Sequence, residues 1–187
     1  IGLLPPDSII LRSGNKQRLV MDLDRFLVTW KRSGSWGMIV LKPGELPVNP
    51  DPGRYLNAVS AFELNGNLLE DAKGYLAAQS AWPENQTVLF TLGNNYLLQG
   101  KYLKAEAVFR RLVEINPGHI PASNNLAEVF ARQGCYSQAS VVIDRAVLAA
   151  ERENSPYKKT VQQTAREITQ YLQQTDLAPS KICNEQL

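Results

Sequence analysis

The chain has few of the side chains that usually carry chemistry. Among its 187 residues there is a single histidine, His119, and there are two cysteines, Cys135 and Cys183. His119 lies in Asn-Pro-Gly-His-Ile-Pro, between a Pro-Gly turn and Pro121, and so reads as a loop residue with no functional role. Working histidines sit among clustered partners, and none are near it in sequence. The cysteines are far apart and in no metal-ligand spacing. They read as one free thiol in a packing seam and another in a tail, because two cysteines cannot staple a fold of this size. No metal or cofactor motif is present. No apolar run approaches the roughly 20 residues of a membrane-spanning helix. The net charge of +2 is too small to point to nucleic acid or an acidic membrane as partner. An apolar fraction of 44% with 20% charged residues leaves a soluble globular chain, long enough for one large or two small cores. The opening Ile-Gly-Leu-Leu is not a signal peptide and starts inside an apolar segment, so the chain reads as a processed product or a trimmed fragment.

What is there is repetition. Gly66, Gly100 and Gly134 recur every 34 residues, and Pro83 and Pro117 share that interval. Within residues 86–119, Leu92, Gly93, Tyr96, Gly100, Ala105, Phe109 and Pro117 have the sizes that two antiparallel helices require. Gly93 and Ala105 are small where helices must approach, and Tyr96 and Phe109 fill the gap between them. Gly100 suits a left-handed helix cap, and Pro117 cannot continue a helix.

This pattern resembles the tetratricopeptide repeat (TPR), a helix–turn–helix unit of 34 residues. The resemblance covers residues 52–174. Residues 52–85 match through Tyr55, Phe62, Gly66, Tyr75, Ala78 and Pro83, with Asp71 where alanine is expected. Residues 120–153 match through Leu126, Ala127, Phe130, Gly134, Ala139, Ile143 and Ala146. There Glu151 replaces the closing proline, so that helix is expected to run past residue 150. A further helix over 155–174 carries one apolar stripe, Tyr157, Val161, Ala165, Ile168 and Leu172, and a polar back, as a terminal capping helix must. Residues 175–187 read as a tail with little fixed structure.

Residues 1–48 have a different texture. Ser-Ile-Ile-Leu-Arg-Ser and Lys-Gln-Arg-Leu-Val-Met read as strands around a Ser-Gly-Asn-Lys turn. Asp22 is the expected N-cap of a helix whose Leu23, Phe26, Leu27 and Trp30 share a face and which Gly34 stops. Trp36–Leu41 reads as a third strand, and a proline-rich linker leads to the repeats. The expected fold is therefore mainly α: a TPR solenoid of three repeats plus a capping helix, after a small N-terminal β-β-α-β segment. Ser13, Gly14, Met21, Phe26, Trp30, Trp36 and the run Pro43–Pro47 resemble the C-terminal part of a bacterial papain-like, double-glycine cysteine peptidase domain that precedes TPRs. That resemblance implies a catalytic Cys and His earlier than this point, and an exported parent of the periplasm or cell envelope. The third catalytic position of that family reads Ser13-Gly14 here. No Cys–His pair can form within this chain, so it is not expected to be an enzyme. Residues 1–48 then read as a capping or docking element.

The TPR resemblance implies that the first helices of successive repeats line a concave groove. Inward-facing positions fall on Asn57, Ser60, Phe90, Thr91, Asn94, Asn124, Asn125, Glu128 and Arg132, and on Lys158 and Lys159 in the capping helix. Asn94 and Asn125 stand where some TPRs grip a peptide carboxylate, and Lys159 stands at a basic position. An asparagine amide both donates to and accepts from a peptide backbone, and lysine adds a charge-assisted bond. Phe90 and Ser155 replace two other basic positions of such a clamp. Two readings follow: a carboxylate clamp, or a looser peptide groove with Phe90 as an apolar anchor. The candidate site is Phe90, Asn94, Asn125, Arg132 and Lys159, with a protein or peptide as partner. The alternative function is a non-catalytic fragment of a cysteine peptidase whose repeats position its substrate. A purely structural dimerisation module would need an apolar outer face.

Overall fold

The structure is a computed structural model describing residues 2–4, 6–35, 37, 40–61, 66, 68–174 and 183. It divides into two compact units, residues 1–40 and 41–187.

The first unit is an antiparallel meander followed by a helix. Strands β1 (Gly2–Leu4), β2 (Ser8–Ser13) and β3 (Lys16–Asp22) pair in that order, with Ile9 opposite Met21 and Leu11 opposite Leu19. Helix α1 (Leu23–Arg32) starts where Asp22 accepts a hydrogen bond from the Arg25 N–H at 3.0 Å, as the sequence predicts. The face that carries Leu23, Phe26, Leu27 and Trp30 is half-buried, and Phe26 stacks on Trp30 at 5.8 Å. The element order here is thus β-β-β-α. Of the strand expected over 36–41, Trp36, Met38 and Ile39 lie outside the described residues, and Gly37, Val40 and Leu41 are not in a strand.

The second unit holds seven helices among the described residues: α2 (Pro52–Ser60), α3 (Leu68–Ala81), α4 (Gln86–Leu98), α5 (Tyr102–Ile115), α6 (Ile120–Arg132), α7 (Tyr136–Arg152) and α8 (Lys158–Gln174). Each packs on its neighbour in sequence, and α6 also packs on α8 and α4 on α6. This is the tetratricopeptide solenoid. The hairpins turn at Gly66, Gly100 and Gly134, whose φ of +72°, +68° and +78° lie in the left-handed region that only glycine enters without cost. Phe62 of the first repeat lies outside the described residues.

Inside the hairpins the size pattern works as expected. A side chain on Gly93 would put its Cβ 2.6 Å from the Phe109 ring, so α4 and α5 touch there backbone to ring. Leu89, Leu92, Ala105, Phe109 and Leu112 are fully buried around that contact. Helix α7 does run on past residue 150, to Arg152. Helix α8 buries Val161 and Ile168 and leaves Lys159, Gln163, Arg166, Glu167, Gln170 and Gln173 exposed.

Two expectations are corrected. Cys135 and Cys183 are not free thiols: they form a disulfide with Cα atoms 5.3 Å apart. Their separation of 48 residues hid the pairing, because no short-range spacing marks it. His119 is not a loop residue but the N-cap of α6: its Nδ1 accepts the Ala122 N–H at 3.1 Å. Pro121 in the first turn is compatible with the helix, because its missing N–H would have had no partner there.

Candidate functional site

The first helices of the hairpins, α4 and α6, with the capping helix α8, position the predicted side chains. Phe90 and Asn94 are one turn apart on α4, and Asn125 lies in the first half of α6. The structure joins the two asparagines directly: Asn125 Nδ2 donates to Asn94 Oδ1 at 2.7 Å. Asn124 Nδ2 in turn donates to Asn125 Oδ1 at 3.3 Å. The three amides form a short directional chain across two helices 31 residues apart at the contact. Its ends are uncommitted. Asn124 Oδ1 is buried without a hydrogen-bond partner, and Asn94 Nδ2 makes no hydrogen bond among the described residues. One end therefore offers an acceptor and the other a donor.

The two Asn-Asn pairs in the sequence divide differently between structure and surface. Asn95 is fully buried and donates to the Leu68 carbonyl at 3.3 Å while its Oδ1 accepts from Gln99 at 2.5 Å, which ties α4 to α3. Asn94, its neighbour, is left for the open face.

Phe90 forms the wall of a cleft of about 470 Å³ with Asn116, His119, Ile120, Pro121, Glu153, Ser155 and Tyr157. Its ring lies 6.2 Å from that of Phe109 and 5.2 Å from the His119 imidazole. Burial pushes the His119 pKa below its ordinary value. With Nδ1 accepting from a backbone N–H, the neutral ring carries its proton on Nε2. The cleft is therefore lined by three aromatic faces, Phe90, His119 and Tyr157, and by the hydroxyl of Ser155. Its size falls in the range of a small-ligand or side-chain pocket.

Arg132 and Lys159 stand apart from this cluster. Arg132 is paired with Glu128 on its own helix at 3.1 Å, an exposed ion pair. Lys159 is exposed in the first turn of α8 and has no ion pair or hydrogen bond among the described residues. Neither bonds to the asparagine chain. The sequence reading missed His119 and Tyr157 as lining residues. A signal for His119 was present: Asp51, Asn85 and His119 recur at the 34-residue interval, and each accepts the N–H three residues on, at 2.8, 3.1 and 3.1 Å. Nothing comparable marks Tyr157: its spacing puts it on the apolar stripe of the capping helix, but it precedes α8 and is 47% exposed at the cleft.

Comparison with known proteins agrees with this architecture. Residues 96–163 match the tetratricopeptide repeat family. No curated protein matches the sequence. Among solved structures, the TPR2B domain of yeast Sti1 in its pHsp70 complex aligns with TM-score 0.59 at 16% identity, over 64% of this chain and 96% of that one. The first TPR of Spaghetti (RPAP3), bound to the HSP90 peptide SRMEEVD, aligns with TM-score 0.57 at 17% identity, over 65% and 93%. The translocator chaperone SycD of the Yersinia enterocolitica type III secretion system aligns with TM-score 0.61 at 13% identity, over 71% and 90%. At such identities the likeness concerns the fold.

Proposed function

We propose that the helical array is a binding module that holds an extended peptide of a partner protein along α4, α6 and α8. The observation that carries this reading is the Asn124–Asn125–Asn94 amide chain beside the Phe90 cleft. Two groups at its ends lack protein partners, and a buried acceptor left unpaired is costly unless something fills it. A peptide backbone supplies both complements, an N–H for Asn124 Oδ1 and a carbonyl or carboxylate for Asn94 Nδ2. Phe90, His119 and Tyr157 would receive one apolar side chain of that peptide, and an aromatic-walled pocket of this kind is the usual seat of an anchor. Arg132 and Lys159 would favour acidic residues or a C-terminus on either side. Two of the similar structures are complexes, the Sti1 domain with pHsp70 and the Spaghetti domain with the HSP90 peptide SRMEEVD, which supports a peptide as the ligand.

The test is calorimetric titration with the natural partner or its binding peptide. Replacing Asn94 and Asn125 together by Ala should weaken binding by roughly 1–3 kcal/mol, beyond a stability loss of about 1 kcal/mol from their own bond between α4 and α6. Charge reversal at the exposed Arg145 of α7 should leave affinity unchanged. The groove is not the site if the double variant binds at full strength while the Arg145 variant fails.

A second reading keeps the N-terminal resemblance: the array would place substrates before a cysteine peptidase domain. It rests on the sequence resemblance of residues 1–48 alone; the hairpin at Ser13-Gly14 and the helix bearing Phe26 and Trp30 are compatible with it. The present chain supplies no nucleophile to such a reaction, since its two cysteines are bonded to each other. Sequencing upstream of Ile1 would decide the matter; a strand-borne His and a Cys at a helix start are what the reading requires.

A further inference from the structure

Cys183, four residues before Leu187, lies at the last hairpin corner and is held there twice. Its sulfur is bonded to Cys135, the N-cap residue of α7, and its carbonyl oxygen accepts a hydrogen bond from the Gln138 side-chain amide one turn further on. Both cysteines are buried, and both belong to the core of the array. The preceding hairpin shows what this corner looks like uncovered. Lys101 and Lys104 occupy, 34 residues earlier, the places of Cys135 and Gln138, and both are exposed to water. The turn is the same; at the later corner a cysteine and a glutamine replace the two lysines, and residue 183 bonds to both. The end of α8 is also drawn to this corner, where Tyr171 stacks on Tyr136 at 5.4 Å. The covalent loop from 135 to 183 therefore encloses all of α7 and α8.

We propose that the Cys135–Cys183 bond is a redox-dependent clasp on the C-terminal end of the array, formed where the chain meets an oxidising compartment. Arrays of stacked hairpins are held only by nearest neighbours, so their ends open first. A cross-link around the final two helices acts on that weak point, by restricting the opened state of a long loop. The bond forms by thiol–disulfide exchange: the two thiols reduce one disulfide of an external disulfide donor, such as an oxidoreductase or oxidised glutathione. The products are the Cys135–Cys183 bond and two donor thiols. Reducing compartments keep such pairs open, so the clasp also reports where the protein works.

The experiment uses the full chain, produced once with export to an oxidising compartment and once in a reducing cytosol. Maleimide labelling under denaturing conditions should modify no cysteine in the exported protein and two after dithiothreitol. Dithiothreitol should lower the melting temperature of the exported protein by about 5–10 °C. In hydrogen exchange it should cost α7 and α8 roughly tenfold or more in protection while α4 and α5 keep theirs. The C135S/C183S variant should behave as the reduced protein does with or without dithiothreitol. If that variant does not fold, the reductant comparison on the unmodified chain decides alone. Two reactive thiols in the exported protein, or equal protection of α7 and α8 with and without reductant, would overturn the proposal.

Discussion

The first and second hairpins meet the same steric demand with the sizes of their side chains exchanged. In the second, the glycine is on the leading helix: Gly93 of α4 lies under the Phe109 ring of α5. In the first, the register position of Gly93 is filled by Val59 of α2, and it is α3 that gives way. A Cβ on Gly74 would fall 2.6 Å from Val59 Cγ2. Close approach of the two helices is thus a property of the pair, and either partner can supply the small residue. The fold constrains summed volume at the crossing more than it constrains any one position.

That comparison can be broken in order of expected effect. Phe109 is fully buried, and Phe109→Ala should cost about 3–5 kcal/mol in denaturant unfolding, the largest loss of the set. A loss below about 1 kcal/mol would mean that the ring is not the filler of the α4–α5 gap. Ala105→Leu should follow at about 1–3 kcal/mol, because the residue is fully buried in the crossing; an unchanged melting temperature would show the crossing to be looser than described. Gly93→Ala alone should destabilise by roughly 1–3 kcal/mol, since its Cβ would overpack against the Phe109 ring. Combined with Phe109→Leu it should cost less than the two changes summed, since they share one contact. Strict additivity would remove the pairwise argument, and the same cycle at Gly74 and Val59 tests the exchanged arrangement.

The smallest effect concerns the caps. Asp51, Asn85 and His119 do one job in three successive repeats, but only the third is an imidazole near neutrality. The folded-state pKa of His119 is depressed below 6.5 by burial, so the cap contributes stability that is present above that value. This contribution is lost as pH falls through the folded pKa, when a proton on Nδ1 displaces the Ala122 N–H. Melting temperature should therefore decline from about pH 7 to about pH 5 more steeply in the wild type than in His119→Asn, which copies the Asn85 cap. Equal slopes would mean that the ring does not act as the acceptor.

Much of the array was legible because a 34-residue period repeats the same physical demands. Gly66, Gly100 and Gly134 mark backbone that only glycine takes easily, and the helix limits follow from them. Asn94 and Asn125 were legible as a pair because positions one turn out of step on neighbouring first helices come together, and they do so at 2.7 Å. What escaped was whatever the period does not encode. The disulfide depends on a tail outside the repeat. Tyr157 sits where the α7–α8 connection departs from the earlier turns, so its ring faces the cleft and not the core. His119 escaped for a different reason. Its neighbours suggested a loop, and only alignment with Asp51 and Asn85 reveals that the loop's last residue is a cap. The half-buried face of α1 was visible from its spacing, but no spacing rule states that α1 would have no fully buried residue.

The outer side of α8 has a consequence for assembly. Stacked hairpins are an open-ended design: each exposes a flank that fits the next, and a flank that fits another molecule's beginning would propagate head to tail into a filament. Helix α8 buries Val161 and Ile168, leaves Tyr171 and Leu172 of its last turn exposed, and turns amides and charges outward along most of its length. A second molecule arriving at that face finds mainly hydrated side chains to strip and little apolar surface to gain, so solvation disfavours growth of the stack there.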